Sequence, residues 1–127
     1  MIFIKKYPEY LLLILFSVIG IFTYKAYGFA WDEYEQRNIG VVCFNYVFYG
    51  DLYYFEYIAR DHGAIFELFL LMIEKATGIV EYRDIYQMRH LVTHLLFLIS
   101  AFYFYKLIFF IYSKKYLAAI GFLLLVI

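Results

Sequence analysis

The chain carries no surplus of either charge: 11 Lys and Arg stand against 11 Asp and Glu in 127 residues. A nucleic-acid partner recruited by bulk charge is therefore not expected. Cysteine is as scarce. Cys43 stands alone, so no internal disulfide forms and the residue says nothing about redox compartment. Also missing are a Gly-rich phosphate loop, a Cys-x-x-Cys pair and a Gly-x-Ser-x-Gly elbow. No Glu lies between His90 and His94, so the zinc-protease helix is absent too. What the chain has in excess is apolar surface. It is 66% hydrophobic and 25% aromatic, whereas soluble domains run about 45–50% apolar. One small water-soluble core cannot hide that much. Disorder, a disulfide scaffold and an ordinary soluble enzyme are excluded, and the expected class is an all-α integral membrane protein.

Two complete transmembrane helices and part of a third are expected. The first span is placed at 8–29, where YLLLILFSVIGIFTY is uncharged and Lys25 is close enough to one end to snorkel. Lys5 and Lys6 before an apolar run also suit a signal peptide, but AYGFAW offers no small-x-small cleavage site, and an uncleaved span is expected. The second span is placed at 87–112, and a cytoplasmic turn at 113–115 follows. A third begins at 116–127. Its 12 residues reach about 18 Å against a bilayer core of about 30 Å. The chain is thus expected to end inside a membrane helix, as a truncated product or a piece of a longer protein.

Charge asymmetry sets the expected orientation. Lys5, Lys6, Lys114 and Lys115 mark the cytoplasmic side. Residues 30–86 then lie on the extracytoplasmic side of a multi-pass cell-membrane protein. That loop holds ten of the eleven acids: Asp32, Glu33, Glu35, Asp51, Glu56, Asp61, Glu67, Glu74, Glu81 and Asp84. Its apolar runs are too short to span and predict two interfacial amphipathic helices, near 32–46 and 63–77, with Gly78 as the stop of the second. A re-entrant hairpin is the alternative for the second. The Tyr-rich link from Gly50 to Phe55 suits the headgroup level.

Several polar residues stand out. Asp32-Glu33 follows the first span, and acids there are costly to desolvate and often functional. Asp32 with Glu35 three residues on also matches a capping box, and the cap is the favoured reading of the pattern alone. His62, in Arg60-Asp61-His62-Gly63, suits either a phosphate or sugar-hydroxyl contact or a plain turn. His90 and His94 share a helix face; packing or an interfacial place is favoured there over metal ligation. Arg89 either neutralises an anion or snorkels. Cys43 is read as core.

Taken in order, these features resemble the N-terminal part of C-type membrane glycosyltransferases, the family-39-like group that includes protein O-mannosyltransferases and lipid A aminoarabinose transferases. Trp31-Asp32-Glu33-Tyr34 looks like their acidic motif after the first span. Asp61-His62-Gly63-Ala64-Ile65-Phe66-Glu67-Leu68 sits where they enter a second interfacial helix, without their usual proline. Arg89, in Tyr86-Gln87-Met88-Arg89-His90-Leu91, matches the Arg that opens their second span. The resemblance covers about residues 8–112 and lacks the family's many further spans.

It implies transfer of a sugar from a lipid-linked polyprenyl-phosphate donor to an acceptor at the outer membrane face. Asp32 would be the general base. Glu33 would orient the acceptor, assist a divalent cation or start the helix. Arg89, then Arg37, would stabilise the leaving phosphate, with His62 a further substrate contact. The alternative function is a non-catalytic small membrane protein that acts as an assembly partner.

Overall fold

The structure is a computed structural model that describes residues 8–126; Lys5 and Lys6, on which part of the expected orientation rests, lie outside the described residues. The fold is all-α, with 79% of the described residues helical and no strand among them. Among the described residues five α-helices follow in order: α1 (Pro8–Thr23), α2 (Glu33–Tyr49), α3 (Ala64–Thr77), α4 (Tyr82–Tyr112) and α5 (Lys115–Val126), with a 3-10 turn at Leu52–Phe55 between α2 and α3.

Local chemistry explains most of the helix ends. Pro8 opens α1, where its missing N–H costs nothing. Gly50, at φ 71°, closes α2. Its N–H reaches the Tyr46 carbonyl at 3.0 Å, the 5→1 bond of an αL stop, and the Asp51 N–H reaches Asn45 at 3.3 Å. That stop carries α2 to Tyr49, past the expected end at 46. Gly78, at φ 67°, ends α3 as expected. Between α4 and α5, Ser113 takes the left-handed conformation (φ 54°), which needs no glycine but is uncommon for other residues.

α1 stops at Thr23, short of the expected boundary at 29. Ala26 folds back onto the Thr23 carbonyl in a turn, and an irregular segment runs on to Trp31. Its 16 residues reach about 24 Å. α4 starts at Tyr82 rather than 87, with Asp84 in its first turn, where an acid favours a helix N-terminus. It has 31 residues and is the one described helix long and apolar enough to cross a membrane; α1 and α5 are shorter apolar helices.

The chain divides into two compact units. One contains the chain up to Ala26 and from His90 onward; the other is Tyr27–Arg89.

In the first unit, Leu98, Ala101 and Tyr105 of α4 pack with Ala118 and Phe122 of α5, flanked by Leu12, Leu13 and Phe16 of α1. α1 and α4 run antiparallel. Near one end Lys106 Nζ lies 3.5 Å from the buried Glu9 carboxylate. Near the other, His94 Nε2 lies 3.2 Å from the Phe16 carbonyl oxygen, which can only accept, so the ring donates. The His94 ring lies where a side chain at Gly20 would be, so a glycine is needed at that crossing.

In the second unit, α2 and α3 are close partners. Gly40 permits the approach: a Cβ there would lie 2.7 Å from the Glu67 carbonyl oxygen. Ile39, Cys43, Leu70 and Leu71 fill the interior with Ile85 and Tyr86.

Candidate functional site

The acidic motif sits at the start of α2. Asp32 occupies the N-cap position but has helical backbone angles (φ −92°, ψ −12°), and its side chain makes no cap bond. The capping-box reading is thereby corrected. A helical N-cap residue does not aim its carboxylate back at the free N–H groups of the first turn, as an extended one does. Asp32 Oδ2 instead accepts from Gln36 Nε2 at 3.2 Å. Glu33 is half-buried, with one carboxylate oxygen shielded from solvent.

Glu35, expected as the partner in the capping box, faces elsewhere. It accepts from the Tyr57 hydroxyl at 2.7 Å. Burial first, then this bond, pushes the Tyr57 phenol up to about 12, because both favour the neutral, donating form. The pair borders an open cleft of about 570 Å³, with Asn38, Tyr53 and Glu56 also on its walls. No spacing rule pointed to the Glu35–Tyr57 contact, which joins residues 22 positions apart.

The two arginines assigned to a leaving phosphate are both engaged. Arg37 of α2 grips Glu74 of α3 with two bonds, Nε to Oε2 at 2.9 Å and Nη2 to Oε1 at 2.5 Å. The bonds to Glu74 raise the Arg37 pKa against the opposing effect of burial. The guanidinium also lies 5.7 Å from the centre of the Tyr82 ring. Arg89 of α4 is 5% exposed and pairs with Glu67 of α3. Its Nη1 is buried and makes no hydrogen bond, as is the hydroxyl of Tyr86, one turn earlier. Tyr86 lies within electrostatic reach of Arg37, Arg89 and Glu33. Arg37 and Arg89, with their carboxylate partners, form a network around Tyr86 that Glu33 reaches electrostatically, and His62 stands on the exposed turn before α3.

The carboxylates that hold this network together, Glu67 and Glu74, were not singled out from the sequence. They lie seven residues apart in AIFELFLLMIEKAT and share a face of α3, about 10.5 Å apart along the axis. Removing either partner of a buried pair leaves an uncompensated charge, at a cost of about 3–5 kcal/mol. The network therefore clamps α3 to α2 at one end and to the first turns of α4 at the other.

Cys43 is buried. Burial pushes its thiol up, toward the protonated and unreactive form. Among the described residues no group of three His, Cys, Asp or Glu side chains is placed to hold a metal ion.

Set against family models, curated proteins and solved structures, the chain matches none of them.

Proposed function

We propose that the chain supplies the first external loop and flanking spans of a multi-pass membrane glycosyltransferase of the C type, one that moves a sugar from a polyprenyl-phosphate donor to an acceptor at the outer membrane face. The observation that carries this reading is the state of Asp32. Its carboxylate is spent on neither a helix cap nor an ion pair among the described residues, and accepts only from Gln36. An acid in that state is free to take a proton. The acceptor O–H would give its proton to Asp32 as the oxygen bonds to the anomeric carbon. The bond from that carbon to the phosphate oxygen breaks, and the electron pair leaves with the polyprenyl phosphate. General-base help of this kind is worth about 10²–10⁴-fold. The unpartnered Nη1 of Arg89 is the donor best suited to the leaving phosphate, while Arg37, whose Nε and Nη2 both bond Glu74, has a structural role.

Membrane residence is supported by α4. Only 17% of its most apolar 18-residue window is buried, whereas the core helix of a soluble protein would be mostly covered. The Glu9–Lys106 contact fits the same setting, because ionisable groups among lipid-facing helices pair with one another.

Asp32→Asn in the membrane-embedded protein tests the chemistry. Loss of sugar transfer by about 10²-fold or more, with unchanged folding, is expected; normal transfer would sink the proposal. The second reading, a non-catalytic assembly partner, draws on one observation: both candidate phosphate-binding arginines are held in ion pairs. It predicts no transfer by the wild-type chain with any partner chains it recruits.

A further inference from the structure

α3 keeps its two carboxylates inside and a stripe of apolar side chains outside. On a wheel of about 100° per residue, Ile65, Phe69 and Met72 fall within about 60° of one another, and Glu67 and Glu74 fall about 180° from them. The carboxylates face the interior: Glu67 is 7% exposed and Glu74 6%. Leu70 and Leu71, each 2% exposed, share that inward face, and a second apolar stripe faces outward, with Ile65 85% exposed, Phe69 43% and Met72 48%. A helix on the surface of a soluble protein puts its charges, not an apolar stripe, on the outward face. The inward carboxylates are held in place, since Arg37 and Arg89 neutralise them. α3 cannot rotate to present its charges to water without breaking both pairs.

We propose that this outward stripe of α3 is a lipid-docking surface, with Ile65, Phe69 and Met72 set among acyl chains just below the headgroups. The proposal rests on the membrane reading above and adds which face of the helix enters the bilayer. Lipid is favoured over a protein partner by two observations. The stripe carries no charged side chain to specify a partner. And α3 is fastened through Glu67 to Arg89, at the start of the one helix long and apolar enough to span. A neutral apolar stripe also means that docking needs no anionic lipid, unlike the basic amphipathic helices that bind membranes by charge.

The test uses the whole chain in phosphatidylcholine vesicles, in a Cys43→Ala background. Ile65→Cys, Phe69→Cys and Met72→Cys are each labelled with a small fluorophore. Quenching is compared between a nitroxide at a shallow acyl carbon and aqueous iodide. Asp61→Cys, on an exposed turn, is the aqueous reference, and Phe110→Cys, 83% exposed on α4, is the reference for the span. The three stripe positions should be quenched at least twofold more by the lipid nitroxide than by iodide, equally with and without phosphatidylserine. If Phe110→Cys reports lipid but the stripe behaves like Asp61→Cys, the docking proposal fails and the membrane reading stands. Shielding from both quenchers, with disulfide cross-links between copies, would mean a second copy covers the stripe and would equally overturn the proposal. If Phe110→Cys also fails to report lipid, the membrane reading falls and the docking surface falls with it.

Discussion

Asp32 and Glu35 show how far a residue's role depends on what its backbone does. Both were candidates for one capping box, yet Asp32 takes helical angles and makes no cap bond, while Glu35 turns to Tyr57. Asp32→Asn should therefore change folding stability by less than about 0.5 kcal/mol, as substitutions away from special features do. Thermal unfolding in detergent checks this beside the activity measurement. Glu33→Gln should reduce transfer less than Asp32→Asn if Glu33 orients the acceptor rather than taking the proton. Tyr57 offers a pH signature. Its folded value, about 12, lies above its ordinary value of about 10. The neutral phenol thus stabilises the fold fully below pH 10, and that contribution disappears as the pH rises from about 10 through 12. Ultraviolet titration of Tyr57, by difference against Tyr57→Phe, should show its ionisation moving down in Glu35→Gln. It should not fall all the way to the ordinary value, because burial is the larger cause of the shift.

At the scale of elements, the contacts that decide the structure lie between helices. Glu67→Ala should cost about 3–5 kcal/mol by stranding the Arg89 charge. The double variant Glu67→Met with Arg89→Met should recover most of that, since an apolar pair of similar volume avoids the stranded charge. Denaturant or thermal unfolding of the two variants reads out the difference; equal losses would mean the pair is not coupled. Gly40→Ala should cost about 1–3 kcal/mol, because its Cβ meets the Glu67 backbone rather than a side chain that can swing away. Gly28→Ala is the control, with nothing within 4 Å of a Cβ there.

For the whole molecule the decisive measurement is topology. α4 has the length to cross a membrane, and an odd number of crossings between Asp51 and Lys115 puts them on opposite sides. Cysteines at 51 and 115 in the Cys43→Ala background should be labelled by a membrane-impermeant reagent from opposite faces of sealed vesicles. Labelling of both from one face would rule out the single crossing by α4.

The all-α class was legible from residues alone, and so were the approximate positions of the helices. Both follow from local information: the density of apolar residues, the helical repeat in runs such as AIFELFLLMIEKAT, and glycines whose left-handed φ stops a helix, as at Gly78. The acidic motif was legible as a candidate because its position beside an apolar segment is written in the chain. Tertiary structure decided which charges go inside. Nothing near Glu67 or Glu74 in sequence announces a partner, for Arg89 and Arg37 lie 22 and 37 residues away. A carboxylate enters a low-dielectric interior only when a cation is delivered to it there, and that delivery depends on how α2 and α4 are laid against α3. The same packing pairs Arg37, a candidate phosphate contact, with Glu74 and leaves Ile65, Phe69 and Met72 of α3 facing outward. Sequence sets each helix's composition, but the faces it turns outward and toward neighbouring helices follow from pairings that exist only once the chain has folded.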